Sequence, residues 1–276
     1  MINLLLFLLI LGINQSQAVD CQLMESSHTI NSLFGPLHII LEKDQFKIEE
    51  IFFFENSQQK DYLLLNYIFF GITEKCTIIP TLPIVSKKST TPHGNSSGLG
   101  DLTFQFNYLL YQQRQSDCQY RLVPTIGVGF PTTTISQNTL FSLPAFNGFV
   151  GLMQDIITPS WFCSTDLWFI SVGKKDERKI GNLILYAWAL GKTYCYHDHF
   201  LTFLLEYFGL YTHADHINNR IDLTTGGHAA YIGPTIRYFY KDFYIHAGVL
   251  ATISYNFRAQ IKPSTVLTGL ALAYYF

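Results

Sequence analysis

The sequence predicts an all-β protein: an antiparallel transmembrane β-barrel of about 12 strands, with roughly 10 or 14 as the neighbouring counts. Three observations predict it. Apolar residues make up 48% of the 276-residue chain and charged residues only 14%, against about 25% charged in an ordinary soluble domain. Past the N-terminus, however, polar groups interrupt every run before it reaches the roughly 18 apolar residues of a membrane helix. Since only helices and closed barrels satisfy their backbone groups in lipid, a barrel remains. The third observation is alternation with period two, the mark of strands with one face to lipid and one to a lumen.

The clearest strand runs from Asp101 to Tyr111. Leu102, Phe104, Phe106, Tyr108 and Leu110 share one face, and Asp101, Thr103, Gln105 and Asn107 the other. Arg121 to Phe130 repeats the pattern, with Leu122, Ile126, Val128 and Phe130 opposite Arg121, Thr125, Gly127 and Gly129. From Phe243 to Phe257 the odd positions are apolar, while Tyr244, His246, Gly248, Thr252, Ser254 and Asn256 fall on the even side. Weaker runs at 46–56, 61–71, 75–85, 147–158, 161–172, 181–194, 200–212, 231–240 and 266–276 complete an even strand count, as a bacterial single-chain barrel requires. Short connections near 72–74, 159–160, 195–199 and 241–242, with 112–120, read as periplasmic turns. The connections 57–60, 86–99, 131–146, 173–180, 213–230 and 258–265 read as outer loops. Pro80, Pro124 and Pro234 interrupt predicted strands, and because proline donates no ladder hydrogen bond, a bulge or local break is expected at each.

Three segments follow from this reading. Residues 1–18, with the apolar run Leu4–Leu11 and the ending Ser16-Gln17-Ala18, read as a cleaved signal peptide. Residues 19–45, including Gly35-Pro36, show no strand pattern and are expected to be a periplasmic tail or a plug in the lumen. Residues 46–276 form the barrel. The final strand places Leu270, Leu272, Tyr274 and Phe276 on one face. That terminal aromatic with apolar residues at alternate positions resembles the signal read by the barrel-assembly machinery. The compartment implied is the outer membrane of a Gram-negative bacterium, reached through the periplasm, with outer-membrane lipids as partners.

From about Tyr62 onward the chain resembles the outer-membrane barrel family named after the meta-cleavage pathway of phenol degradation. The residues carrying the resemblance are Ser97-Gly98-Leu99-Gly100-Asp101-Leu102 with Tyr108, then Val123-Pro124-Thr125-Ile126-Gly127-Val128-Gly129-Phe130-Pro131-Thr132. Gly71-Ile72-Thr73-Glu74-Lys75 resembles the family's short turn. Thr133 and Thr134 depart from it, standing where a glycine and an acidic residue are expected. The resemblance implies a channel or transporter for hydrophobic compounds and carries over no binding residue.

Alternation points Asp101, Gln105, Asn107, Arg121, Asp166, Glu206, Arg237 and His246 into the lumen. Buried charges must be paired or wetted, so these eight form either a salt-bridge network that plugs the barrel or a wet, substrate-lining path. Passage of a small molecule through a monomeric barrel is the leading expectation, with a plugged structural or surface-interaction barrel as the alternative. A lipid-active enzyme built from His246, Ser254, Asp166 and Glu206 is a third, weaker reading, because no nucleophile motif surrounds any serine; catalysis is not expected. His197-Asp198-His199 and His213-Ala214-Asp215-His216 carry ligand-type residues, but lie at opposite rims and are expected to be solvated turns. No cofactor, metal or nucleic acid is called for at a net charge of −2. In an oxidising periplasm cysteines pair where geometry allows. Cys163 with Cys195 and Cys76 with Cys118 are the expected disulfides, leaving Cys21 as the odd thiol.

Overall fold

The computed structural model describes residues 33–34, 39–56, 60–88, 96–115, 117–133, 145–175, 177–218, 220–257 and 266–276. Residues 1–18, most of 19–38 and the tips of several outer loops lie outside these, and with them the signal-peptide reading and Cys21. The described chain is all strand and turn.

The described residues form eighteen strands: β1 (Phe46–Asn56), β2 (Lys60–Thr73), β3 (Cys76–Lys88), β4 (Ser96–Leu99), β5 (Leu102–Tyr108), β6 (Tyr111–Gln115), β7 (Cys118–Phe130), β8 (Asn147–Ile157), β9 (Trp161–Val172), β10 (Lys174–Lys175), β11 (Arg178–Lys179), β12 (Leu183–Tyr196), β13 (His199–Thr212), β14 (His216–Ile217), β15 (Arg220–Ile221), β16 (Gly227–Tyr240), β17 (Phe243–Phe257) and β18 (Val266–Tyr275). They build a closed barrel of 12 antiparallel wall strands, in which β4, β5 and β6 are consecutive pieces of the fourth wall strand. Strands β10, β11, β14 and β15 form a separate four-stranded sheet at the outer rim. Closure is made by β1 and β18, paired from Lys47↔Tyr275 to Glu55↔Leu267 and fastened at the rim by Phe276 N donating to Phe46 O at 2.8 Å. Closure leaves no open edge in the wall.

The prolines coincide with breaks. At Pro80 the β2–β3 ladder skips from Tyr67↔Thr81 to Phe70↔Ile78. At Pro234 the β16–β17 ladder skips from Ile232↔Ala251 to Thr235↔Gly248. Pro124 pairs normally with β8, but on its other side β5 gives way to β6 between Asn107↔Thr125 and Tyr111↔Leu122. In each case the missing N–H falls where a neighbour has already left the ladder. The turn placed at 112–120 is much tighter than expected, because β6 and β7 pair as far as Gln115↔Cys118.

One strand departs from simple alternation. The register of β17 shifts between Ala230 and Tyr231 of its partner, leaving Ile253 unopposed in a bulge. An extra residue inverts the faces beyond it. Tyr255 and Phe257 therefore join the interior apolar cluster, and Ser254 and Asn256 turn outward, opposite to the sequence expectation.

Candidate functional site

All eight residues expected in the lumen are buried, from 0% exposure at Asn107, Glu206, Arg237 and His246 to 5% at Gln105. Alternate positions of the same strands, such as Phe106, Ile126 and Leu167, are exposed outward. The wall is thus a lipid-facing apolar sheet with a polar inner lining. The eight do not form one cluster; they serve separate contacts around the circumference.

Glu206 is the centre of the largest. It projects from β13, and its carboxylate accepts from Thr235 Oγ1 on β16 at 2.8 Å and lies 3.0 Å from His246 Nε2 on β17. Tyr244 holds the other ring nitrogen of His246 at 2.9 Å. The same carboxylate accepts the backbone N–H of Leu33 at 2.9 Å and of Phe34 at 3.4 Å. Strand β13 therefore grips a stretch of main chain that belongs to no wall strand. A carboxylate accepting backbone N–H bonds makes charge-assisted contacts, about twice as strong as neutral ones.

Following that stretch onward, Asn107 Nδ2 on β5 donates to Ile39 O at 3.1 Å. Gln105 Nε2 and Thr125 Oγ1 both donate to Asn107 Oδ1, at 2.8 and 2.7 Å, which orients the amide. Ile40 packs with Leu109, Val123 and Met153, and Leu41 N donates to Thr77 Oγ1 on β3 at 2.8 Å. The chain then leaves over the rim, where Gly71 N donates to Gln45 O at 3.0 Å. A Cβ at Gly71 would meet Glu42 O at 1.9 Å, so only glycine permits the approach. Strands β13 and β5 stand on nearly opposite sides of the ring. Residues 33–34 thus contact one side of the lumen and residues 39–41 the other, and Leu33, Phe34, Ile39, Ile40 and Leu41 are buried. The wall makes room with Gly269, Ala271 and Ala273 of β18; a Cβ at Gly269 would come within 3.0 Å of Leu33 and 3.1 Å of Phe34.

The remaining inward charges are held within the wall. Arg121 and Asp155, on neighbouring β7 and β8, form a two-pronged pair at 3.0 and 2.6 Å. Lys47 Nζ donates to Glu49 at 2.7 Å and sits among the rings of Phe69, Tyr244 and Tyr275, 4.8 to 5.3 Å from their centroids. The Arg237 guanidinium lies over Phe162 and Tyr244. Asp166 is buried, and Asp101, at the outer rim, accepts Thr133 N at 3.1 Å. Sequence reasoning missed Lys47, Glu49 and Asp155. The alternation Asn147, Phe149, Met153, Asp155 on β8 carried the signal for the last of these.

The histidine clusters are engaged in ordinary contacts. His199 hydrogen-bonds Tyr238 at 2.7 Å and stacks on Tyr240, while Asp215 pairs with Arg178 at 2.7 Å. Among the described residues no three His, Cys, Asp or Glu side chains gather as a metal site. Ser254 faces away from His246 because of the bulge, so the four pieces of the enzyme reading are not assembled.

The disulfide expectations are corrected. Cys76, Cys118 and Cys163 are free thiols, and Cys195 is disulfide-bonded to none of them. Cys163 stands opposite Leu190, not Cys195, and the alternation of β9 and β12 directs the two side chains to different faces. Cys118 begins β7, which pairs with β5 and β6; Cys76, on β3, is therefore not on a neighbouring strand.

A closed barrel with an apolar outer belt and a polar inner lining is an outer-membrane protein of the Gram-negative envelope. The chain belongs to the family described as the MetA-pathway of phenol degradation, whose model matches residues 54–261. Among solved structures it is similar to the COG4313 outer membrane channel from Pseudomonas putida F1, at 11% identity and a TM-score of 0.70, covering 90% of this chain and 100% of that one. It is also matched to the β domain of the Bordetella autotransporter BrkA, at 9% identity and a TM-score of 0.43, covering 84% of this chain and 98% of that one. No curated protein matches the sequence.

Proposed function

We propose that the protein is a monomeric, non-catalytic outer-membrane channel for a small, hydrophobic-leaning molecule, and that the segment containing residues 33–41 is its plug. The carrying observation is how that segment is held. Its described residues, 33–34 and 39–41, contribute no strand to the wall. Their side-chain partners in the wall are Glu206, Asn107 and Thr77, beside apolar packing. The wall itself is held by continuous ladders, so the plug is the part that can leave without unfolding the barrel. Similarity to a solved outer-membrane channel supports the same reading, and the mixed lining of Leu109, Val123 and Met153 beside Gln105 and Asn107 suits an amphipathic permeant. The alternative, a permanently plugged structural barrel, predicts no openings by the full-length chain. Planar-bilayer recording decides between them: the full mature chain should conduct rarely or weakly, and a chain lacking residues 19–41 should open a stable pore. If the shortened chain assembles and stays silent, the channel reading is wrong and the structural one stands.

A further inference from the structure

The outer rim carries a feature that the channel reading does not use. Two outer connections, 173–182 and 213–226, fold together into the sheet β10-β11-β14-β15. Its register places Lys174 opposite Lys179, Lys179 opposite His216, and His216 opposite Ile221. Directly opposed residues share a face, so one row runs Lys174, Lys179, His216, Ile221, all exposed, with no carboxylate in it. Like charges directly opposite destabilise a sheet. Among the described residues nearby, the carboxylates of Asp215 and Asp222 are employed elsewhere. Asp215 holds Arg178 and accepts Gly181 N at 2.9 Å, Asp222 accepts Thr224 Oγ1 at 2.6 Å in its own turn, and Glu177 lies at the hairpin end.

Two further observations say what faces this row. Ile221 and Leu223 are 59% and 68% exposed, which is unusual beside lysines in a purely aqueous loop. Below the sheet, the outer ends of the wall strands carry outward aromatic residues: Phe169 on β9, Tyr186 on β12, which hydrogen-bonds His228 of β16, and Tyr211 on β13, whose ring contacts His213 at the base of the second connection. Such girdles mark the lipid–water interface, so the sheet stands at headgroup level, where cations and aliphatic side chains meet phosphate and acyl chain together.

We propose that this sheet docks a phosphorylated glycolipid of the outer leaflet, with Lys174 and Lys179 on its phosphate and Ile221 and Leu223 against its acyl region. An anion between the two lysines also removes their mutual repulsion. The test is native mass spectrometry of the full chain, refolded in detergent, titrated with bis-phosphorylated lipid A and with the same lipid stripped of phosphate. A Lys near an anionic lipid surface contributes about fivefold in affinity, so Lys174→Ala/Lys179→Ala should weaken lipid A binding by roughly 25-fold. Ile221→Ser/Leu223→Ser should weaken it too, and phosphate removal should weaken binding to the wild type but not to the lysine variant. Heat-shifted migration verifies assembly of each variant; should the double lysine change block assembly, Lys179→Ala alone carries the test. Unchanged lipid A affinity in the assembled variants overturns the proposal. So does inorganic pyrophosphate that binds as tightly as lipid A and displaces it, which would make the row a soluble-anion site.

Discussion

Arg121 and Asp155 show how this lumen tolerates charge. They stand opposite one another in the β7–β8 register, are 2% and 0% exposed, and meet through two parallel hydrogen bonds. A buried pair of this kind adds little net stability, because desolvation offsets most of the attraction, whereas removing one partner leaves an uncompensated charge and costs about 3–5 kcal/mol. Arg121→Met should therefore destabilise the barrel by that amount in urea unfolding from detergent, and Arg121→Met/Asp155→Leu should recover most of the loss. Equal destabilisation of single and double variants would mean that the pair does not act as a unit. The two residues also mark what was legible. Arg121 was assigned to the lumen by a clean alternation on its own strand, but its partner lies on β8, where the pattern is interrupted by Gly148 and Gly151. On β1 the adjacent carboxylates Glu49 and Glu50 fall on opposite faces, so neither face looks polar, and the Lys47–Glu49 pair left no trace in the sequence.

At the scale of the element, alternation worked wherever a strand had one register throughout. β5 is the plainest case: Gln105 is buried and Phe106 exposed to lipid. Arg at a lipid-facing site near the bilayer midplane costs about 2–4 kcal/mol, so Phe106→Arg should sharply reduce the heat-modifiable, assembled form, while Gln105→Asn, a neutral polar change on the inner face, should be tolerated. Similar yields from both variants on unheated gels would remove the facing assignment. Alternation failed where register changes. The Ile253 bulge transfers Tyr255 and Phe257 to the interior, and nothing in a run of alternating residues marks which one is extra. The cysteine pairing failed for the same reason. Whether Cys163 meets Leu190 or Cys195 depends on a register set by the β10–β11 hairpin, whose pairing lies inside what read as a plain loop.

For the molecule as a whole, the decisive contact joins its least patterned segment to its most patterned one. The stretch at 33–41 shows neither period two nor a helical period, so the sequence left it as tail or plug. Its place is written in the strands instead, in the small inward residues Gly269, Ala271 and Ala273 of β18 and in a glutamate with two backbone amides to receive. That complementarity allows Leu33 and Phe34 to be moved without substituting either of them. A side chain at Gly269 would start 3.0 Å from Leu33 and 3.1 Å from Phe34, and overpacking a filled site forces neighbours to shift. Gly269→Phe should therefore displace both residues and strip Glu206 of their amides, while leaving the β18 ladder intact because the ring points inward. The expected result is an assembled barrel with larger and more frequent openings than wild type in planar bilayers. Leu270→Phe, one residue along and facing lipid, should leave conductance unchanged. If Gly269→Phe assembles yet conducts as the wild type does, the segment at 33–41 is not what closes the lumen.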